Sequence, residues 1–199
     1  MNILAFSDLH RNRAIAEQIA AEAGKADLVI GAGDFATYGE GLADTVSLLQ
    51  TIEPPMVIVA GNHDHLDELR GAFGDRANVH LLHGEAVSVG YMNILGLGFE
   101  IGDVPGALPE SIMSEQAAHN VLQRFRSADL LVTHAPPYGA GDIQRDNTHQ
   151  GSRTIRNWIE KAQPQLCLCG HIHHAWGTTG TIGATPVHNL GPSLNWFQL

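Results

Sequence analysis

Residues 56–64 read MVIVAGNHD, an apolar run that passes through a glycine into three polar side chains. The run is too short for a core helix and is rich in valine and isoleucine, so it predicts a buried β-strand. Further runs of similar length and composition lie at residues 3–6, 28–30, 130–132 and 166–168. We therefore predict five buried strands distributed along the whole chain.

Amphipathic stretches separate several of these runs and predict helices. They lie at residues 14–23, 42–52, 111–126 and 152–162, and the last two open on serines that can cap a helix. Closely spaced strand candidates with glycine turns predict hairpins at residues 79–82, 86–89 and 92–97. We predict an α/β (α+β) fold in which two packed, partly mixed β-sheets are flanked by helices, in a single domain over residues 1–199.

Each predicted buried strand leads into a short polar segment that contains candidate metal ligands. In chain order the candidates are Asp8 and His10, Asp34, Asn62, His134, and His171 with His173. In α/β sheets, sites assemble outside the carboxyl ends of the strands, so these loops converge if those ends share one edge. Carboxylate, imidazole and amide groups together suit hard to borderline divalent cations.

The composition excludes several kinds of partner. The formal net charge is −10, and the 12 histidines outnumber the 11 lysines and arginines. An acidic surface repels polyanions, so we expect neither long nucleic acid nor a membrane as a partner. Cys167 and Cys169 alternate with leucines and are expected to be small buried hydrophobes. With no disulfide framework, signal peptide or long apolar run, we expect a cytoplasmic location.

Taken in order, the polar segments read Asp-x-His, Gly-Asp, Gly-Asn-His-Asp, His and Gly-His-x-His. This series resembles the calcineurin-like metallophosphoesterase superfamily, and it extends over most of the chain, from Asp8 to His173. Each motif alone is common, whereas all five in order, each after a predicted strand, are a specific signal. The resemblance implies a calcineurin-like four-layer sandwich and a metal-dependent phosphoesterase activity.

The resemblance also implies ligands for two divalent metal ions. The first ion would be held by Asp8, His10, Asp34 and His173, and the second by Asp34, Asn62, His134 and His171, with the Asp34 carboxylate bridging. Manganese is the expected metal, and iron, nickel, cobalt or zinc would also suit the mixed ligation. A hydroxide between the metals would attack phosphorus. His63 would stabilise the phosphoryl oxygens and act as general acid, while Asp64 would orient the His63 imidazole.

Differences between the motifs of this chain and those of other branches of the superfamily narrow the range of substrates that we expect. Its protein phosphatases carry an Asp-Arg-Gly segment after Gly-Asp and a Gly-Asn-His-Glu motif, whereas this chain has GDFATYG at residues 33–39 and Asp64. Its processive nucleases add a capping domain and a basic surface, neither of which is evident here. The stretch THAPPYG at residues 133–139 resembles the metallophosphoesterase-domain-containing branch, some members of which act on or bind nucleotides. We expect a small phosphoester or nucleotide as substrate; its identity and the oligomeric state stay open.

Two features after this stretch are candidates for phosphate contact. The helix predicted after Ser152 has an N-terminus that could hold an anion. Arg145, Arg153 and Arg156 lie near enough in sequence to reach a phosphate, although a solvated charged face is the favoured interpretation.

Two other functional classes fit parts of the pattern. Gly31, Gly33 and Ala36 match the dinucleotide fingerprint G-x-G-x-x-A, which would suggest an oxidoreductase. The acid expected about 20 residues later, at the end of the next strand, is missing, and the other four loops would be unexplained. The second alternative is a non-catalytic protein-interaction scaffold on the same fold. Loss of ligands would be its signature, and all seven are present.

Overall fold

Two β-sheets between layers of helices form the centre of the computed structural model, which describes residues 1–102 and 109–199. The helices are α1 Arg13–Glu22, α2 Leu42–Leu49, α3 Leu66–Phe73, α4 Glu115–Leu122 and α5 Arg153–Ala162. The strands are β1 Asn2–Phe6, β2 Leu28–Ala32, β3 Met56–Val59, β4 Val79–Leu81, β5 Glu85–Val89, β6 Met92–Leu97, β7 Glu100–Ile101, β8 Ile112–Met113, β9 Leu130–Thr133, β10 Leu166–Cys169, β11 Thr179–Ile182, β12 Thr185–Asn189 and β13 Asn195–Gln198. Within the described ranges, none of the helices has the length and apolar character that a membrane span requires.

Both large sheets are mixed. The first has the order β13-β1-β2-β3-β4, in which β1 to β4 run parallel and β13 is antiparallel to β1. The second has the order β11-β12-β10-β9-β6-β5, with parallel central strands and an antiparallel hairpin at each edge. The predicted fold class is confirmed. One detail is wrong: β4 joins the first sheet beside β3, and only β5 and β6 form the predicted hairpin.

Alternation of side chains along the strands divides the core into three apolar layers. One layer lies between the sheets and joins alternate residues of β1, β2 and β3 to those of β6, β9 and β10. The opposite face of the first sheet packs against α1, α2 and α3, and that of the second packs against α4 and α5. Cys167 and Cys169 lie in this last layer as buried free thiols, as their alternation with leucine predicts.

The carboxyl ends of β1, β2, β3, β9 and β10 meet at one edge of the sandwich. The Asp8 N–H donates to the Gly33 carbonyl at 2.9 Å, which joins the loops after β1 and β2. The Gly170 N–H donates to the His134 carbonyl at 3.0 Å, which joins the loops after β9 and β10. The His171 N–H donates to the Asp8 carboxylate at 3.0 Å and so connects the two sheets. The predicted convergence of the polar loops is confirmed.

Helix α4 begins later than the sequence predicts. Its N-cap is Ser114, whose hydroxyl accepts the Ala117 N–H at 3.1 Å. Ser111, the predicted cap, is buried and donates its hydroxyl to the Asp64 carbonyl at 2.7 Å. The next two residues pair with β7 as a short strand. These contacts with distant parts of the chain keep residues 111–113 out of the helix, and no local sequence pattern reveals them.

An acidic side chain of the chain itself occupies the N-terminus of α5. Ser152 caps this helix as predicted and accepts the Ile155 N–H at 3.2 Å. The Glu115 carboxylate accepts the N–H groups of Arg153 and Thr154, each at 2.9 Å, and the Ser152 hydroxyl at 3.0 Å. A helix N-terminus favours negative charge, and Glu115 supplies it. The expectation that this N-terminus could hold a substrate anion is therefore wrong.

Replacing Glu115 with alanine should lower the free energy of unfolding by about 2 kcal/mol, because three donors lose an ionised acceptor. Although partial burial raises the pKa of Glu115, its hydrogen bonds lower that pKa overall. The stabilisation is therefore complete above the usual glutamate pKa and is lost as the pH falls through the lowered value. Urea unfolding of wild type and variant at neutral pH and at about pH 3 measures both effects.

The matched control is Glu160→Ala, which removes an exposed carboxylate from α5. If both variants unfold at the same urea concentration at neutral pH, the contact between Glu115 and α5 contributes no net stability.

Candidate metal centre

Four of the predicted ligands have backbone angles that residues other than glycine seldom adopt. The angle φ is +54° at Asp8, +43° at His10, +59° at Asp34 and +70° at His171. Left-handed residues of this kind cost free energy and persist only where the surrounding structure imposes them, which is frequent at functional sites. Here they turn the chain sharply after β1, β2 and β10, at the edge where the loops meet.

Asp8, His10 and His173 form the more exposed half of the centre. One potential ligand atom of each lies within 4.8 Å of the others. The Nε2 atoms of His10 and His173 are 3.2 Å apart, and His10 Nε2 is 3.4 Å from Asp34 Oδ2. Asp8 is buried, whereas His173 is exposed. This half of the centre therefore faces solvent through its imidazoles.

Asn62, His134 and His171 form the more buried half. Asn62 Oδ1 lies 2.9 Å from His134 Nε2 and 2.9 Å from His171 Nδ1. His134 is fully buried, and its Nε2 is 3.4 Å from Asp34 Oδ2. Because the same Asp34 oxygen lies beside His10, the two halves share the Asp34 carboxylate. All seven predicted ligands are thus brought together.

In three of the histidines, the ring nitrogen that points away from the centre lies against an oxygen acceptor. We call this atom the outer nitrogen, and the ring nitrogen that faces the other predicted ligands the inner nitrogen. The contacts are His134 Nδ1 to the Ala32 carbonyl at 2.8 Å, His10 Nδ1 to the Ala36 carbonyl at 3.2 Å, and His171 Nε2 to Glu100 Oε1 at 2.9 Å. Carbonyl and carboxylate oxygens only accept hydrogen bonds. In the neutral imidazoles the proton therefore lies on the outer nitrogen, and the inner nitrogen presents a lone pair.

The lone pairs that face one another in this arrangement are suitable ligands for divalent cations. In the neutral forms, the inner nitrogens of His10 and His134 present lone pairs 3.4 Å from Asp34 Oδ2, and those of His134 and His171 present lone pairs 2.9 Å from Asn62 Oδ1. Groups that only accept hydrogen bonds repel at such distances unless a proton or a cation lies among them. Hydrogen bonds to the outer nitrogen are also the usual way in which proteins orient metal-bound imidazoles. The chemistry of the residues present therefore agrees with a metal centre.

Asp34 dominates the electrostatics of the centre. Although burial alone raises the pKa of this carboxyl, the imidazoles of His134 and His10 hold it well below its usual range. In turn, although burial opposes the charged form of His134, the Asp34 carboxylate raises the pKa of His134 to about 10. A proton on His134 thus balances the buried charge of Asp34 when no cation does so.

The Asp64 carboxylate is directed at backbone groups instead of at His63. It is fully buried and accepts the N–H groups of Asp34 at 2.8 Å, Ala36 at 2.8 Å and Gly61 at 2.9 Å. Burial and the charge of Asp34 raise the pKa of Asp64 to about 6. The predicted role of orienting the His63 imidazole is therefore wrong, because the turn at residues 61–64 directs this carboxylate inward. Asp64 instead connects the loops after β2 and β3.

His63 lies at the edge of the centre. Its Nδ1 accepts the Tyr38 N–H at 2.9 Å, so a neutral His63 carries its proton on Nε2. Its ring packs edge-on against His10 with the centroids 4.8 Å apart, and one of its nitrogens lies within 4.8 Å of ligand atoms of His10 and Asp34. Burial lowers the pKa of His63. His63 therefore faces the centre as a neutral hydrogen-bond donor.

Glu100 and Tyr38 are among the residues that contact the centre and were not predicted. Glu100 contacts His171, and Tyr38 packs its exposed ring against His63 with the centroids 4.4 Å apart. Glu100 follows β6 in the stretch GLGFE at residues 96–100, so it has the same arrangement of strand, glycine and acid as the predicted ligands. Tyr38 gives no such signal, because its hydrogen bond to His63 comes from its backbone.

The three arginines considered for phosphate contact have other partners. Their contacts are Arg153 over the Tyr138 ring at 4.0 Å, Arg156 with Glu160 at 2.9 Å, and Arg145 with His174 at 3.4 Å. None of these contacts involves a predicted metal ligand. The favoured interpretation as a charged face agrees with these positions.

A sandwich of two mixed sheets with acids, histidines and an asparagine at its strand ends is typical of the metallophosphoesterases. The chain belongs to the calcineurin-like phosphoesterase family, whose family model matches residues 1–175. Proteins of this family use divalent metals. The chain is therefore a member of a family of metal-dependent hydrolases.

Individual proteins resemble the chain more distantly. It is similar to UPF0046 protein K07C11.7 of Caenorhabditis elegans, with 26% identity over 179 residues, covering 80% of this chain and 60% of that protein. The chain spans between 15% and 66% of the lengths of three curated relatives. Its fold is similar to TT1561 of Thermus thermophilus, with a TM-score of 0.77, 17% identity, and coverage of 99% of this chain and 98% of that chain. It is also similar to a dimetal phosphatase from Danio rerio, with a TM-score of 0.63, 13% identity, and coverage of 96% and 88%.

Replacing Asp64 with alanine should lower the free energy of unfolding by about 3 kcal/mol or more, because three buried N–H groups lose their acceptor. Asp64→Asn keeps one acceptor oxygen and should cost less. Urea unfolding in the presence of a chelator measures the effect on the fold apart from any effect on metal binding.

Asp67→Ala is the matched control, since the Asp67 carboxylate lies in α3 and is 95% exposed. Equal stability of the Asp64→Ala and Asp67→Ala proteins would show that the three backbone contacts of Asp64 do not stabilise the fold.

Proposed function

We propose that this chain hydrolyses a small phosphodiester or a nucleotide at a centre of two divalent metal ions, with manganese as the expected metal. The observation that carries the proposal is the buried Asp34 carboxylate, shared by two sets of inward-facing side chains. The first ion would be held by Asp8, His10, Asp34 and His173, and the second by Asp34, Asn62, His134 and His171. Family membership and the likeness to a dimetal phosphatase support the assignment.

The balance of charged and neutral ligands suits an electrophilic centre. When bound, a pair of divalent ions supplies electrophilic activation of a phosphate and of a water molecule. The proposed ligands bring only two negative charges, those of Asp8 and Asp34. The amide and the imidazoles are neutral when they act as ligands, so they leave much of the cationic charge uncompensated.

Differences in burial indicate the side from which a substrate approaches. Asp34 is 1% exposed and His134 is fully buried, whereas the His10 side chain is 19% exposed and His173 is exposed. A phosphate therefore reaches the centre across His10 and His173, with His63 beside it. The net charge of −10 disfavours long polyanions at this surface, which supports a small substrate.

His63 is placed to donate a hydrogen bond from Nε2 to an oxygen of the reacting phosphate. Its Nδ1 lone pair accepts the Tyr38 N–H, so protonation of the ring requires that this bond be broken. This contact favours a neutral donor that stabilises developing charge on the phosphoryl oxygens. It argues against the general-acid role that the family resemblance implies, because a general acid would start from the doubly protonated ring.

The proposal is tested with a simple monoester, a simple diester and cyclic nucleotides, each assayed with several divalent metals beside elemental analysis of the protein. We expect two ions per chain and diester or nucleotide hydrolysis that a chelator abolishes and Mn²⁺ restores. Asp34→Ala should lose both ions and all hydrolysis, and retention of both ions would refute the shared carboxylate. Negligible turnover of every substrate by wild type with two bound ions would instead favour the non-catalytic scaffold.

His63→Ala should lower kcat by about 10²–10³-fold on both a nitrophenyl diester and an alkyl diester, with the metal content unchanged. The two factors should be alike, because a lost hydrogen bond to the phosphoryl oxygens affects both substrates. A lost general acid would harm the alkyl diester far more, since an alkoxide needs a proton to leave and a nitrophenolate does not. Steady-state kinetics on the two substrates distinguish these outcomes.

His65→Ala is the control, because the His65 imidazole pairs with Glu110 outside the ligand set. A loss on the alkyl diester more than about tenfold greater than on the nitrophenyl diester would identify His63 as a general acid.

A further inference from the structure

A buried carboxylate outside the proposed ligand set contacts the centre. Glu100 lies in β7, its side chain is 3% exposed, and its Oε1 lies 2.9 Å from His171 Nε2. Its other oxygen, Oε2, is buried and has no hydrogen-bond partner among the residues that the structure describes. Burying a carboxylate is costly unless a strong partner replaces water. Within the described ranges, His171 is the side chain that supplies this compensation.

We infer that Glu100 is a positioning residue for the second metal site, an inference that rests on the proposed role of His171 as a ligand there. By accepting a hydrogen bond from Nε2, Glu100 holds His171 in the tautomer whose Nδ1 is unprotonated. Nδ1 is the atom that lies 2.9 Å from Asn62 Oδ1, the other proposed ligand on that side. The lone pair of His171 is therefore directed toward the second site.

His171 depends on a side-chain partner more than the other two oriented histidines do. His134 and His10 are held by backbone carbonyls, which the strand and loop structure keeps in place. His171 lies in a loop with a left-handed backbone, its side chain is 15% exposed, and its outer nitrogen contacts only Glu100 in the described part of the chain. Without Glu100, this ring would be free to rotate or to exchange tautomers.

The charge of Glu100 adds to its orienting effect. A hydrogen bond to an ionised acceptor is stronger than one to a neutral carbonyl. It also increases the electron density of the imidazole, so that the opposite nitrogen becomes a better ligand. Loss of an outer partner of this kind typically weakens metal affinity about 10–100-fold.

Metal affinity, titrated against a chromophoric chelator with Mn²⁺, is the first measurement. Glu100→Leu should weaken the binding of one of the two ions about 10–100-fold and change that of the other less than about threefold. Glu100→Gln has the same size and still accepts a hydrogen bond, so it should recover most of the loss. The glutamine variant also keeps the test valid if the leucine variant does not fold. Glu115→Ala, which disturbs the contact with α5 away from the centre, should bind both ions as wild type does.

The tautomer of His171 is the second measurement, and it requires neither metal nor activity. Long-range proton–nitrogen correlation spectra of the metal-free protein at mildly alkaline pH should place the His171 proton on Nε2. In Glu100→Leu, both tautomers should be populated. A purely structural role of Glu100 would change the stability of the fold without this spectroscopic change.

Three results would overturn the inference: unchanged affinity for both ions in Glu100→Leu, a glutamine variant as weak as the leucine variant, or a single Nε2-protonated His171 that persists in Glu100→Leu. His171→Ala separates this failure from failure of the proposed function. If His171→Ala binds both ions as wild type does, the second site itself is wrong, and the inference fails with it. If His171→Ala loses one ion and Glu100→Leu does not, only the role of Glu100 is wrong.

Discussion

The Asp34 carboxylate carries a negative charge where almost no water reaches it, and the loops around it are arranged to balance that charge. Its Oδ1 accepts the backbone N–H of His63 at 2.9 Å, and its Oδ2 lies 3.4 Å from the Nε2 atoms of both His10 and His134. Its own N–H is bonded to Asp64, which keeps the left-handed backbone in place. An ionised group at this depth is tolerated only when donors or cations surround it. The loops after β1, β2, β3 and β9 therefore have to meet at one point.

The chemical role of each histidine at this point depends on the group that holds its outer nitrogen. His10 and His134 lie against backbone carbonyls, and His171 lies against a carboxylate, so their protons point outward and their lone pairs inward. His63 has the opposite arrangement, because the backbone N–H of Tyr38 occupies its outer nitrogen. Its proton therefore points inward. One side-chain type thus serves as a potential cation ligand or as a hydrogen-bond donor, according to a single neighbouring group.

The strands and the seven candidate ligands could be predicted because their signals are local. Short apolar runs mark buried strands, and parallel strands bring their carboxyl ends to one edge. The partners of side chains beyond the strands are not local and could not be predicted in this way. Asp64 binds the N–H of a residue 30 positions earlier, and Glu115 fills a helix N-terminus that begins 38 positions later. Glu100 follows a strand and a glycine, as the candidate ligands do. However, its contact is with His171, a residue 71 positions away, so Glu100 supports a candidate ligand instead of being one.

The hydrogen bond from the His171 N–H to Asp8 joins residues 163 positions apart, and the contact of His134 with Ala32 spans 102 positions. Closing loops of such length costs chain entropy, and contacts between distant residues form slowly during folding. The neighbouring parallel strands of each sheet lie closer in sequence and can pair before these bonds close, whereas β13 reaches β1 from the other end of the chain. A chain in which only those nearer strands have paired would therefore still lack the centre. Recovery of metal binding after denaturation should consequently lag behind recovery of secondary structure, and it is the stricter indicator of a completely refolded molecule.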